Sequence, residues 1–600
     1  QYMGFKGSFN RNYLRMKNKI ISILIFLTIS TGCKDFLEVE LVGKSSEENF
    51  YSTINELQLS LNSAYTVLRT ADFQNALAFI GDAMSDDFIY QASTYANFGD
   101  EGLKLQNFNI TSENSWVRTW YNINYVGIYK TNQLLSHIND DIQLKYVEGV
   151  NDTDLRRWQH IYGQALFLRA YYYFNLVRTF GGVSIIPEVQ NIENPAISRS
   201  TPEETYTYIE KDLRTACILL SEFIPSEDYG EISQFAGLSL LMKVLITQAT
   251  QGQSSEFWDE AKNIGKTIVS NYGDPAASLS YNDVLKIDKF YPDLNWDEWK
   301  ETFKLNLRID ESELTEMAKP NGTGVYQNFT SMSTKHGLTP WPQMLRVSYQ
   351  NLTQNKEPIF VVLSMNATAV DPSQINLLNQ NDDLYNTIFC PSKSLMDIMT
   401  NEGIDPRNFY GCYSHNMQPI GYNPPEYNEY WGGVFTENFQ RFVKFFLIAN
   451  TEVPPGGGGS PRNITLLRYS DVLLMYAEAL NETGDRITPI NIINDIRANL
   501  KASIQKIDNI FKYTLAYGPY VYVRDKIKIE RRKELAGERE RYFDLLRYKE
   551  AGDVLTEAYK AEVAISKQNV SFVKGVHELL PIPQVEIELS HGIITQNPGY

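Results

Sequence analysis

Flat aromatic side chains set in polar, turn-rich stretches are the residues of this chain best suited to act on another molecule. A sugar ring presents an apolar C–H face between its hydroxyls. A Trp or Tyr removes that face from water, while neighbouring Asn, Asp or Arg side chains take the hydroxyl hydrogen bonds. The candidates are Tyr90, Tyr95 and Phe98 in one polar stretch, Tyr291, Trp296 and Trp299 in FYPDLNWDEW, Trp341 in TPWPQ and Trp431 in NEYWGG. Core packing is the competing reading for each. It is the better one for Trp116, Trp120, Trp158 and Trp258, which sit on amphipathic helical patterns.

Other chemistries find less support. Asp82, Asp86 and Asp87 offer the hard oxygen ligands that calcium prefers, but no EF-hand spacing surrounds them, and helix capping and solvation account for them. The six histidines (His137, His160, His336, His415, His577 and His591) form no HExxH and no close pair. No metal or cofactor is expected. Hydrolysis needs two carboxylates at a set separation or an activated nucleophile, and there is no GxSxG elbow, P-loop or dinucleotide fingerprint. Catalysis is therefore not expected. The net charge of −17 would repel a phosphate backbone, which argues against nucleic acid as a partner.

Of the four cysteines, Cys217, Cys390 and Cys412 read as core thiols; a Cys390–Cys412 bridge is arithmetically open, but two small buried hydrophobes are the favoured reading. Cys33 differs because of what precedes it. From Met16 the chain runs through a basic start, an apolar stretch from Ile20 to Ile29, and small residues up to Thr31-Gly32-Cys33. That is the layout of an export signal, and its apolar run is too short for a permanent membrane span. A cysteine at this point resembles a lipoprotein box, although Ser30 stands where leucine is usual. Several acyl chains on Cys33 would make a durable anchor, since each buried methylene contributes about 0.8 kcal/mol. Residues 1–15 read as sequence upstream of the true start.

The elements that must position the aromatics are helical. In RWQHIYGQALFLRAYYYFNLVRTF, Trp158, Ile161, Ala165, Leu168, Tyr172 and Leu176 recur at three- and four-residue steps, and Gly181-Gly182 end the helix. Leu466 to Glu482 carries Val472, Tyr476, Ala479 and Leu480 on one face; Gly484 breaks it, and Ile493, Ile496 and Leu500 stripe a second helix. A hairpin of about 34 residues with this Tyr/Ala pattern suits a tetratricopeptide-like repeat. Further helices are expected at 52–69, 117–138, 203–220, 235–251, 256–271 and 525–549. The last is dense in alternating charge, from Arg524 to Arg547, and reads as an ion-pair lattice along one helix. Between about 272 and 460 the periodicity fades and Pro, Gly, Asn and aromatics rise, as in surface insertions that carry recognition; Gly456 to Ser460 reads as a flexible loop.

Six strings in order carry a resemblance to a family: CKDFLEVE, QALFLRAYYYFNLVRTFGGVSIIP, LRYSDVLLMYAEALNETG, INDIRANL, IKIERRKELAGERERYFDLLRY and LLPIPQVEIELSHGIITQNPGY. Together, from Cys33 to Tyr600, they resemble SusD/RagB outer-membrane lipoproteins. The resemblance implies four tetratricopeptide-like helix pairs under a more variable region, an outward-facing place on the outer membrane, and a SusC-like TonB-dependent transporter as partner. It also implies glycan as the commonest cargo, with peptides handled by some relatives.

The expected fold is mainly α: a tetratricopeptide-like helical-repeat scaffold, an α-α superhelix, with a loop-rich variable region. The expected divisions are 1–32 (extension and signal peptide), 33–270 (N-terminal region), 271–460 (variable ligand-binding region) and 461–600 (C-terminal region). The expected function is a cell-surface glycan-binding lipoprotein serving that transporter. A peptide-binding lipoprotein of the same architecture and a periplasmic repeat scaffold are the alternatives. Mass spectrometry of the mature protein is expected to find Cys33 as an acylated first residue; recovery of unmodified Cys33 with its leader attached contradicts the anchor.

Overall fold

Apolar residues at helical spacing become packed helices along most of the described residues. The computed structural model describes residues 50–90, 99–138, 152–189, 196–220, 230–252, 254–271, 285–286, 358–362, 389–400, 412–414, 440–442, 464–499, 507, 519–555 and 572–600. Leu57–Tyr600 pack as one unit; of the other, Gln1–Glu56, only a turn and the first residues of a helix are described.

Helix α1 (Ile54–Arg69) buries Leu57, Leu61, Ala64 and Leu68, one stripe of its surface. Thr70 then caps α2 (Ala71–Ala78) by accepting from the Phe73 amide, and a π-helical turn, Phe79–Ala83, carries the chain into β1 (Phe88–Tyr90). After α3 (Gly99–Gln106), the Asn114 side chain accepts from the amides of Trp116 and Val117 and starts α4 (Ser115–Leu135). Helix α5 (Asp152–Phe180) is buried almost all round over its second half, as a central helix must be. Gly181 ends it with φ +73°, the left-handed turn its glycine pair foretold.

Helix α6 (Pro202–Leu219) opens on a capping box between Thr201 and Glu204, and α7 (Gln234–Gln251) on Ser233. Helix α8 (Glu256–Asn271) follows. Then come β2 (Pro358–Val362), β3 (Phe389–Pro391), α9 (Lys393–Thr400), β4 (Cys412–Ser414), β5 (Gln440–Phe442) and β6 (Ile464–Arg468). Helices α10 (Tyr469–Glu482) and α11 (Thr488–Asn499) form the expected hairpin, with the Asp485 carboxylate accepting from the Ile487 and Thr488 amides to start α11. The chain ends through α12 (Pro519–Glu534), α13 (Arg541–Arg547) and α14 (Gln584–Leu589).

Successive helices pack on one another: α4 on α5, α5 on α6, α6 on α7, α7 on α8, α8 on α10, and α10 on α11 and α12. This is a tetratricopeptide-like superhelix, mainly α as expected. Two glycines set the closeness. A Cβ on Gly127 of α4 would stand 2.4 Å from the Tyr172 ring of α5, and one on Gly265 of α8 would stand 2.5 Å from the Tyr476 ring of α10.

Two expectations fail here. The single helix expected at 525–549 is two, because Gly537 (φ +72°) and Arg539 (φ +67°) turn the chain left-handed between α12 and α13. A left-handed arginine costs roughly 1–2 kcal/mol. It is held by a bond from Arg539 Nη1 to Gln74 Oε1 (2.6 Å), with the Arg539 carbonyl pressed against Gly81, where no Cβ could fit. Asp82, Asp86 and Asp87, expected as solvated caps, are all buried. Asp86 pairs with Arg532 (2.9 Å) and Arg541 (2.7 Å), and Asp87 with Arg532 (2.7 Å).

The charges of residues 524–547 therefore pair mainly across elements rather than along a helix. Arg178, Glu540, Lys243, Asp471, Arg531, Asp544, Arg547 and Glu478 form one alternating chain, with successive partners 2.6 to 3.6 Å apart. It joins α5, α7, α10, α12 and α13. Burial pushes the carboxyls of Asp471 and Asp544 upward, but Lys243 and Arg531 on one, and Arg531 and Arg547 on the other, outweigh it and hold both below the usual range. Against the same opposition, Arg532 and Arg541 hold Asp86 down to about 2. Burial and the neighbouring Asp86 push Asp87 the other way.

Arg531→Met is expected to cost about 3–5 kcal/mol, since it strands buried carboxylates without their cation, and to lower the thermal midpoint accordingly. An unchanged midpoint refutes the chain's structural role. A depressed carboxyl contributes stability above its unfolded pKa and loses it as pH falls through the folded one. The midpoint should thus be level from about pH 7 to 5 and drop between about pH 4 and 2 in an acid titration.

Candidate functional site

The cavity inside the alternating charge chain has room for about 30 Å³, enough for one or two waters and too little for a substrate. A larger opening lies along α4. Tyr121, Tyr125 and Tyr129 stand at i, i+4 and i+8 on α4, so their rings share one helix face. With Ser184, Ile186, Ala196, Ile197, Glu586 and Ile594 they line a cleft of about 560 Å³, within the range of small-molecule and side-chain pockets.

Each wall has a local cause. The α4 wall exists because Tyr121 is wedged edge-on against Phe180 (5.1 Å) and tilted against Tyr125 (4.9 Å). The Tyr125 hydroxyl donates to the Ser184 carbonyl (2.9 Å), and the Gln133 amide donates to the Tyr129 hydroxyl (3.0 Å). The opposite wall is the C-terminal segment. It is stapled to the scaffold by the Leu580 amide on the Thr179 carbonyl (2.7 Å) and by the Gln584 amide on the Ser112 carbonyl (2.9 Å). Arg199 gives its guanidinium to the carbonyls of Phe180, Gly182 and Thr595 and to Asn597 Oδ1.

Burial pushes the Tyr121 hydroxyl up to about 12 and raises that of Tyr125 well above its usual value, so both remain neutral. The same burial raises the Glu586 carboxyl. Among the described residues Glu586 has no ion-pair or side-chain hydrogen-bond partner, and no His/Cys/Asp/Glu group is placed to hold a metal ion. Two neutral phenols and one carboxylate have no activated nucleophile between them; the arrangement suits binding.

Among the aromatics expected outside the core, Tyr90 is a correction. It is 1% exposed and its ring packs edge-on against Phe79 (5.3 Å) and Phe389 (6.1 Å), because β1 pairs with β3 and turns Tyr90 inward. Tyr95, Phe98, Tyr291, Trp296, Trp299, Trp341 and Trp431 lie outside the described residues, as does Cys33. The ends of the segments that carry them are described. Tyr90 pairs with Phe389, so residues 91 and 388 leave the same end of one antiparallel ladder. Val362 pairs with Ile464, and Ser414 with Gln440, so the stretch holding Trp431 leaves and returns through paired strands. Trp120 and Trp158 are buried in the core as expected, while Trp116, stacked on Phe79 at 4.6 Å, is half-buried. The tyrosine cleft went unread because an aromatic stripe on a helix is also the signature of a core face. The spacing of Tyr121, Tyr125 and Tyr129 is the signal that marks it.

Known proteins repeat this architecture. A family model described as "SusD family" matches residues 406–600, and one described as "Starch-binding associating with outer membrane" matches residues 35–246. SusD-like protein P38 of Formosa agariphila is 26% identical, over 90% of this chain and 93% of its own. A SusD homolog from Bacteroides thetaiotaomicron superposes with a TM-score of 0.64 at 20% identity, over 92% of this chain and 98% of its own. A laminarin binding SusD-like protein does so with a TM-score of 0.59 at 22% identity, over 91% and 99%. With the superhelix in place, the matches of the two family models over residues 35–246 and 406–600 and of the SusD-like relatives make the chain a member of the SusD/RagB family.

Proposed function

We propose that this protein captures glycans at the cell surface as an outer-membrane lipoprotein anchored through Cys33, and delivers them to a SusC-like TonB-dependent transporter. The observation that carries the reading is the rooting of the aromatic-rich segments. The stretch bearing Tyr95 and Phe98 follows β1, which packs against the π-helical turn and α3, and the stretch bearing Trp431 lies between the paired strands β4 and β5, of which β5 packs on β3. Recognition groups on insertions above a packed scaffold can be exchanged without disturbing the fold. Trp296, Trp299 and Trp341, between the described positions 286 and 358, belong to the same set.

The relatives supply the ligand class and the location: one is named for binding laminarin, and the N-terminal family description joins starch binding to the outer membrane. The protein's own part is to bind and hand on, without changing a bond in the cargo.

Isothermal titration with laminarin and with starch oligosaccharides tests this. Binding to at least one is expected, and replacing Trp296, Trp299, Trp341 and Trp431 together by alanine should weaken it at least about tenfold, since each stacked ring contributes about 0.5–1.5 kcal/mol. Full binding by the quadruple variant removes these residues from the site; no binding to any glycan tested removes the function. Protease treatment of intact cells should digest the protein, whereas a periplasmic scaffold would be spared.

A further inference from the structure

The cleft on α4 is unlike the aromatic segments above, and its surroundings point to a different occupant. Among the described residues nine large hydrophobics are exposed. Val126 and Tyr129 line this cleft, and Val585, Leu589 and Ile593 are carried by the C-terminal segment whose Glu586 and Ile594 also line it. Tyr129 is 45% exposed and Leu589 70%. Scattered exposed apolar residues need no cause, but a tyrosine-lined cleft beside a segment that carries three of them offers a face to another polypeptide.

At the centre of that face lies a charge. Glu586 lines the cleft with its carboxylate unpaired among the described residues, while the basic side chain on the neighbouring segment, Arg199, is already satisfied by four oxygens. A half-buried carboxylate beside tyrosine faces is complementary to a planar cation, which stacks on the ring and hydrogen-bonds to the oxygens at once.

This chain builds that clamp twice inside itself. The Arg524 guanidinium lies 4.0 Å from the centre of the Tyr520 ring and bonds to Glu482 at 2.6 and 2.8 Å. The Arg547 guanidinium lies 4.0 Å from the centre of the Tyr548 ring and bonds to Glu478 at 2.7 and 2.9 Å. In the cleft the tyrosines and the glutamate come from this protein, and the cation must come from the partner.

We infer that Tyr125, Tyr129 and Glu586 form a receptor for an arginine side chain flanked by apolar residues on a partner polypeptide. A saccharide fits less well. The Tyr125 hydroxyl is committed to the Ser184 carbonyl and the Ser184 hydroxyl to the Ile197 carbonyl, which leaves Asn122, Tyr129 and Glu586 to meet several sugar hydroxyls, and of these only Glu586 brings a charge that a cation would match. The inference does not rest on the glycan reading, and the glycan affinity of a Glu586 variant serves as its independent control.

The probes are acetyl-Leu-Arg-Ile-amide and the same peptide with citrulline, which keeps the shape of arginine and removes its charge. Saturation-transfer NMR on the mature full-length protein is expected to show the arginine peptide bound at least about tenfold more tightly. Glu586→Gln should abolish that preference, and Tyr129→Ala should weaken the arginine peptide several-fold, with glycan binding unchanged in both. Equal binding of the two peptides by the wild-type protein overturns the inference, as does binding of neither. So does displacement of the arginine peptide by a gluco-oligosaccharide, which would make the cleft a sugar subsite.

Discussion

The scaffold depends on a continuous alternation of buried charge. Arg178, Glu540, Lys243, Asp471, Arg531, Asp544, Arg547 and Glu478 come from helices far apart in sequence, and each interior member touches an opposite charge on both sides. Such an arrangement gains little over a well-packed apolar core, because desolvating eight charges offsets most of their attraction. What it adds is discrimination. A one-residue slip of α12 against α10 would leave Arg531 facing apolar neighbours, an error worth several kcal/mol, whereas an apolar seam would tolerate it. A stack of similar helices has many near-equivalent ways to pack, and the charge chain leaves only one of them balanced.

The short chain Arg541–Asp86–Arg532–Asp87 does the same from the next residue of α12. It ties the turn after the π-helical segment to the C-terminal helices. The hydroxyl of Ser392 donates to the Asp86 carbonyl (2.6 Å), and Arg532 reaches Ser394 (3.0 Å). Three parts of the chain that are hundreds of residues apart thus meet at one pair of aspartates. The strand pair β1–β3, after which comes the stretch bearing Tyr95 and Phe98, is held at this junction by the Ser392 bonds to Asp86 and Asp87.

Much of this was legible, for identifiable reasons. Helix periods in α5, α7 and α10 survived because the apolar stripes there are long and their ends carry capping residues or glycines. The charge-rich run was legible as a lattice but not in its direction. Sequence spacing shows which charges can meet along a helix and nothing about which will meet across the fold, so Asp86 and Asp87 read as solvated and Arg531 as pairing along its own helix. The break at Gly537 was hidden because Arg539, a good helix former, takes a left-handed conformation that only the Gln74 bond and the bare face of Gly81 allow. Tyr90 was misplaced for a related reason: a three-residue strand gives no alternation long enough to say which way its side chains face.

On the two readings proposed above, the tyrosine cleft and the aromatic segments would serve two kinds of recognition. The cleft is made of scaffold. Tyr121 is locked against Phe180, Tyr125 against Ser184, and the opposite wall is stapled by backbone bonds to α5 and to the start of α4, so its shape cannot change without disturbing the stack. The segments bearing Trp341 and Trp431 enter the fold through backbone ladders, which accept any side chain that suits a strand. A surface that must fit a constant partner belongs on the first, and one that must follow a changing food supply belongs on the second.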